Sequence, residues 1–447
     1  MDYYLDSRTG SDGNDGLTPQ APWRSIERAH RRRYEPGDRI FFRRGGSWTG
    51  MFSPAGSGSK EAPITIDAYD EGDPPCIDGA CAQAAIRLDR VDHWTVRNLK
   101  CINRANERFP RCGILVMGRP VGITRGIRIE GCEITEVTGE NRRQMPFYRN
   151  MYWNSGIYVT FPHKCTQENH LDDIVIENNY VHDVLTSGIR VNQDEDVQKD
   201  IFHTNVVVRG NRIERTGCDG IIVANCVAPL IEYNRCFDAG ALGSLEDTYL
   251  IAGVWVCATS DATIQYNEVA RTRLFSNDGT AFDTDWGVAG VTTFQYNYTH
   301  ENEGGFWLDC TAFKHNPACR GTILRGNVSV NDHRCIVQAD TGIETLFEGN
   351  TFINTDDSLE ICTHADGKSH RYVNNSFCLE KLPVLGWQAS RYEANAYAQG
   401  LVNEKDLLPK ICDCSLLDKA RQLSNLDEQE EVFGLCFERP TRKEDAL

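Results

Sequence analysis

The chain has 447 residues, with 47 Lys+Arg against 64 Asp+Glu and a formal net charge of -17. No run reaches the ~18 apolar residues of a membrane helix, and the acidic balance argues against nucleic acid or an anionic membrane as partner. The 18 cysteines are irregularly spaced with no CxxC pair, which argues against a zinc cluster and predicts free thiols in a reducing compartment. The start, Met1-Asp2-Tyr3-Tyr4-Leu5-Asp6, carries neither a basic nor an apolar signal region, so the expected location is cytoplasmic, with secretion and disulfide-bonded cysteines as the alternative.

In chain order, the first predicted element is a short helix within 23–34. Ser25 is placed to cap it and Ile26-Glu27-Arg28-Ala29-His30 to form it. A repeat follows. A β-like run ends in Asn at Asn179, Asn211, Asn234, Asn267, Asn297, Asn327, Asn350 and Asn375, at intervals of 32, 23, 33, 30, 30, 23 and 25 residues. A second run accompanies it: Gly113-Ile114-Leu115-Val116, Gly156-Ile157-Tyr158-Val159, Gly188-Ile189-Arg190-Val191, Gly220-Ile221-Ile222-Val223 and Gly253-Val254-Trp255-Val256. It continues as Ala281-Phe282-Asp283-Thr284 and Gly305-Phe306-Trp307-Leu308. Each repeat therefore holds at least two strands of period-2 alternation and lacks the helix of a βαβ unit. Such a period is one turn of a solenoid.

The fold class predicted is all-β, a single parallel β-coil. Residues 1–60 make an N-terminal cap and first coil, 61–399 the β-helix, and 400–447 a C-terminal extension with a short helix at Leu416–Arg421 capped by Ser415. Ile157, Ile189, Ile221, Val254 and Phe282 are expected to stack inside. The recurring Asn is expected to form an inward amide ladder at a sharp bend. Insertions 139–153 and 193–200 are expected to wall a groove, with loops 161–172 and 239–250 as further walls.

Aligning Phe282 with Phe306 puts Asp283 beside Trp307 and Asp285 beside Asp309, one rung or ~5 Å apart. The outward column then reads Tyr158, Arg190, Ile222, Trp255, Asp283 and Trp307. Rings on such a wall are platforms for sugar faces. Trp286 can serve the same purpose, and Arg190 and Asn192 can bind hydroxyls. Asp278 and Glu303 lie in corresponding bends of successive turns, with His333 and Arg334 just beyond. Stacked like charges destabilise a sheet, so the carboxylates ask for a reason. Glycoside hydrolysis, in which one raised acid works beside an ionised partner, is one. A Ca²⁺ site is another. No cofactor is otherwise implied.

The opening Tyr3-Tyr4-Leu5-Asp6 … Gly10-Ser11-Asp12-Gly13-Asn14-Asp15-Gly16 resembles the entry of right-handed parallel β-helix carbohydrate-active enzymes. So do Pro36-Gly37-Asp38-Arg39-Ile40, Gly45-Gly46-Ser47-Trp48 and Ala62-Pro63-Ile64-Thr65-Ile66. Asn277-Asp278-Gly279-Thr280-Ala281-Phe282-Asp283-Thr284-Asp285 resembles the catalytic segment of the lacto-N-biosidase type of β-helix glycosidase. That resemblance implies Asp278 as acid/base and Asp285 as nucleophile. Stacking alone offers Asp285 with Asp309 instead.

The expected function is a retaining glycoside hydrolase acting on a neutral or amino-sugar oligo- or polysaccharide. Asp283, Asp309, Glu303, Trp307, Trp255, Trp286, Arg190 and Tyr158 are its expected substrate contacts. A polysaccharide lyase acting on a uronate polymer and a non-catalytic carbohydrate-binding β-helix are the alternatives.

Overall fold

A computed structural model describes residues 1–411 apart from 106–108, 140–153, 163, 194–199, 244–250, 276–277, 312–314, 340–342, 344, 355–359, 362–369, 380–383, 386–390, 394–395 and 399–409. The predicted C-terminal helix and most of the predicted loop walls at 139–153, 193–200 and 239–250 lie outside these residues. The described chain winds into three long sheets of fourteen, fourteen and eleven strands. Each sheet takes one strand from each successive turn, so neighbours in a sheet are always one coil apart. The chain stays extended because its turns alternate β-branched or aromatic residues with polar ones. Among the described residues no helix is long and apolar enough to cross a membrane. The one helix among the described residues, Ile26–His30, sits where predicted, with Ser25 Oγ accepting from Arg28 N.

The coil interior is one continuous apolar column. In the eleven-stranded sheet Ile157 pairs with Ile189, Ile189 with Ile221, Ile221 with Val254, and Val254 with Phe282. The Asn ladder lies at the bend between the other two sheets. Asn179, Asn211, Asn234, Asn267, Asn297, Asn327 and Asn350 each donate Nδ2 to Oδ1 of the next, at 2.9–3.0 Å. That next Oδ1 also accepts the backbone N–H of the preceding Asn. A second bond from each Nδ2 reaches a main-chain carbonyl such as Ile231 O or Ile264 O. Every polar atom of a buried amide is thereby used, which is what makes a polar column tolerable in the core.

Six successive strands of the eleven-stranded sheet carry a small residue at one position near their start. Register aligns Gly113, Gly156, Gly188, Gly220, Gly253 and Ala281 in one column. A Cβ on Gly220 would lie 2.0 Å from Cys236 Sγ and 2.4 Å from Gly253 O. Neither the sheet carbonyl nor the packed thiol can retreat far. Gly220→Ala is expected to lose about 3 kcal/mol or more by overpacking, read as a lower urea midpoint with an unchanged m-value.

The same column corrects the predicted register. Position 306, not 305, follows Ala281: Thr280 pairs with Gly305, Phe282 with Trp307, Asp283 with Leu308 and Thr284 with Asp309. Gly305, at φ 118, forms a bend against Cys335, where a Cβ would meet Cys335 O at 2.1 Å. A one-residue slip moves every later side chain of a strand to the other face. Trp307 is therefore a core residue, fully buried, with Nε1 donating to Thr284 Oγ1 at 3.0 Å. It is not a sugar platform.

Candidate active site

The outer wall of the eleven-stranded sheet carries the column Tyr158, Arg190, Ile222, Trp255, Asp283 and then Leu308. Tyr158 is fully buried in a cluster with Ala84, Cys112, Leu115 and Met117. Trp255 packs with Ile222, Ala252, Cys257 and the half-buried Trp286. These rings face outward from the coil, yet only Trp286 keeps appreciable exposure. Arg190 and Asn192 are buried on the same wall.

The carboxylates gather at the end of this wall. Asp283 and Asp285 are i and i+2 around strand Thr280–Thr284, so both leave the same face. Asp285 N donates to Val256 O at 2.9 Å, which anchors it to the preceding turn. The rung partner of Asp285 is Cys310, whose N donates to Thr284 O at 3.0 Å. One oxygen each from Asp283 and Asp285 and the Cys310 sulfur all lie within 4.8 Å of one another.

Asp278 enters from the turn before the strand. That turn is closed by reciprocal bonds, Phe275 N to Asp278 O at 3.2 Å and Asp278 N to Phe275 O at 2.8 Å. Gly279 follows at φ 121, where a Cβ would meet Arg273 O at 2.5 Å, so the sharp entry needs glycine. Gly279 N then donates to Asp278 Oδ1 at 2.9 Å.

Burial disfavours the charged form of these acids. It pushes Asp278 up to about 7, against the pull of the Gly279 and Ile251 amides. The Asp219 charge adds to the rise and Arg334 offsets it. Burial also raises Asp283 well above the carboxylate range, helped by Asp285, Asp278, Asp309 and Asp219. The Cys310 thiol is raised by burial first, then by Asp283, Asp285, Asp278 and Asp309. Asp278, Asp283 and Asp285 thus share one electrostatic site.

Two expected members take other places. Asp309 pairs in register with the inward Thr284 and is fully buried. Its Oδ1 accepts from Thr311 N at 3.0 Å and Thr311 Oγ1 at 2.6 Å, and its Oδ2 lies 3.4 Å from His370 Nε2. It acts on Asp283 through charge and is not the rung partner of Asp285. Glu303 faces away, bonded to Arg273 Nη1 at 2.7 Å and Leu274 N at 2.8 Å. It braces the loop that carries Asp278.

Sequence reasoning missed Asp219 and Cys310. Counting back two residues from the pair Ile189 and Ile221 sets Asp219 in the outward column of Ser187. Its Oδ1 accepts from Trp255 Nε1 at 2.9 Å and Ala252 N at 3.1 Å, and its Oδ2 from Ser187 Oγ at 3.3 Å. The signal was the Asp directly before Gly220. Thirteen cysteines among the described residues are free thiols.

A family profile described as a right-handed β-helix region matches residues 113–313. A lacto-N-biosidase of Bifidobacterium longum subsp. longum is 23% identical over 84% of this chain. The chain spans only 30% of that relative's length. The crystal structure of a GH136 lacto-N-biosidase from Eubacterium ramulus superposes with a TM-score of 0.72 at 23% identity, over 88% of this chain and 68% of that one. The complex of XylC with xylose reaches a TM-score of 0.50 at 13% identity, over 92% of this chain and 86% of that one. With its three parallel sheets and inward amide ladder, the chain is a right-handed parallel β-helix, similar in sequence and fold to lacto-N-biosidases.

Proposed function

We propose that the chain is a retaining glycoside hydrolase that cleaves a neutral or amino-sugar oligo- or polysaccharide. The observation that carries this is the convergence of Asp278, Asp283 and Asp285 on one buried patch of the outer wall, with Asp278 pushed up to about 7 by burial. The printed names of its relatives, lacto-N-biosidases, support a glycoside as substrate class.

In this reading Asp285 attacks the anomeric carbon. Asp278 gives its proton to the departing glycosidic oxygen, so the bond breaks without expelling an alkoxide. Asp278 then takes a proton from the water that releases the glycosyl group from Asp285. Asp283, kept neutral by burial and then by its acidic neighbours, donates a hydrogen bond to Asp285 or to a sugar hydroxyl. Trp286, beside Asp285, offers a partly exposed ring to a sugar face.

The test is product analysis on a glycan panel, following the anomer first released. Retained configuration supports the reading. Inverted product, or unsaturated ultraviolet-absorbing products from a uronate polymer, would replace it with an inverting hydrolase or a lyase.

The raised acid sets a pH dependence. Activity is expected to fall as pH rises through about 7, where Asp278 loses the proton it must donate. In Asp278→Asn that alkaline limb should vanish. Substrates with good leaving groups should keep their first step, and azide should restore turnover. The linkage to stability has a definite sign: from the ordinary carboxyl range up to about 7 the native state binds the extra proton. This group's contribution to stability therefore declines over that window as pH rises, and Asp278→Asn should flatten the decline.

A further inference from the structure

We propose that Asp283, Asp285 and Cys310 form a binding site for a thiophilic divalent cation of the zinc class, and that the bound ion closes the site to sugar. The inhibitory consequence rests on the hydrolase reading; the binding itself does not.

The donors are supplied by the ladder. Asp283 and Asp285 share a face of one strand, and Cys310 opposes Asp285 on the next turn. Their ligand atoms lie within 4.8 Å of one another. A tetrahedral zinc ion with Zn–O of about 2.0–2.2 Å and Zn–S of about 2.3 Å needs ligand separations of about 3.3–3.6 Å. From separations within 4.8 Å, the ligand atoms must close by at most about 1.5 Å. A separate observation points to a missing partner: Asp283 is 6% exposed, and its Oδ1 is buried without a hydrogen-bond partner. A buried carboxyl oxygen without a partner, on a residue beside Asp285 and Cys310, is satisfied by a cation once that carboxyl gives up its proton.

The donor set selects the class. Calcium and magnesium take six or more oxygens, and a sulfur is a poor donor for them. Two carboxylate oxygens and a thiolate suit zinc, cadmium or cobalt(II). On binding, the metal displaces both the Cys310 thiol proton and the proton carried by the buried Asp283, and both pass to solvent. Both carboxylates then hold the ion, which neutralises the Asp285 charge and takes the space that an anomeric carbon would enter.

Cobalt(II) is the first probe, added to the purified full chain. One equivalent should bind and give a sulfur-to-cobalt charge-transfer band. Cys310→Ser should abolish that band and weaken cobalt binding by at least about 100-fold. Cys81→Ser, at an exposed thiol, should keep both. X-ray absorption of the zinc-loaded wild type should show one sulfur at about 2.3 Å, a readout that does not depend on any variant folding. No band, an undiminished band in Cys310→Ser, or a zinc shell without sulfur overturns the site. Zinc should also inhibit glycoside hydrolysis competitively, with reversal by a chelator. A metal-sulfur signal in a protein that hydrolyses no glycan leaves this site standing and removes the hydrolase reading. Hydrolysis unaffected by saturating zinc removes the blocking role.

Discussion

Replacing Asp285 with Asn is expected to lower kcat by about 10⁴-fold, close to 5 kcal/mol of transition-state stabilisation, while the melting temperature stays within a few degrees of wild type. The two halves of this expectation have different causes. The chemical loss follows because an amide cannot form the glycosyl ester that the next water attacks. The stability is kept because Asp285 sits on the outer wall in a buried patch that disfavours charge and already keeps Asp283 protonated. The amide keeps the carboxylate's shape and removes a buried charge, and the Asp285 N to Val256 O bond that positions the strand end is main-chain and survives. Kinetics on a cleaved glycan with parallel thermal melts decide it. Full activity in the variant would end the assignment of Asp285 as nucleophile.

Asp309→Asn separates register from chemistry. If Asp309 were the rung partner of Asp285, its loss would resemble the loss of Asp285. The structure seats it inward, against Thr311 and His370. The expected result is a loss of stability with a kcat effect far smaller than that of Asp285→Asn.

The coil was legible because its signals are periodic and local. Period-2 alternation and Asn intervals require no knowledge of distant contacts, and the eight Asn named from spacing are the ladder that forms. The register of the last active-site turn was not legible. Gly305 looks like the small residue of the preceding turns, but Phe306 occupies that column, against Phe352 and Phe282 at 5.5 and 6.0 Å between ring centroids. Sequence alone does not show that the interior widens enough there to take a ring. That single step sent Trp307 and Asp309 inside and left Cys310 outside. The aromatic wall failed for another reason. Column parity places Tyr158 and Trp255 on the outer face correctly, but parity says nothing of what covers that face, and both are buried. Asp278 came from a resemblance, Asp283 from parity, and Asp285 from both. Asp219 needed the column read one step before its glycine.

The fold's most sensitive point lies in the Asn ladder rather than in an apolar residue. Asn267 Oδ1 accepts from both Asn234 N and Asn234 Nδ2 at 3.0 Å, and its Nδ2 donates to Ile231 O and Asn297 Oδ1 at 3.0 Å. Truncation to Ala opens a cavity and strands the Asn234 amide and the Ile231 carbonyl in a dry interior. Each orphaned buried group costs about 1–3 kcal/mol, so Asn267→Ala is expected to lose about 4 kcal/mol. Leu has the same branching and the same number of side-chain heavy atoms and would fill the space, yet it should recover little, because the cost lies in unmet hydrogen bonds. The residue just before it provides the contrast. Tyr266 holds φ 54 and stacks between Tyr233 and Tyr296 at 5.1 and 5.5 Å. In Tyr266→Asn the lost stacking is offset by a residue that accepts the left-handed backbone, so its stability should stay within about 1 kcal/mol of wild type. Urea unfolding of the three variants tests the claim. An Asn267→Leu protein as stable as wild type would mean that packing, and not the amide column, holds the turns in register.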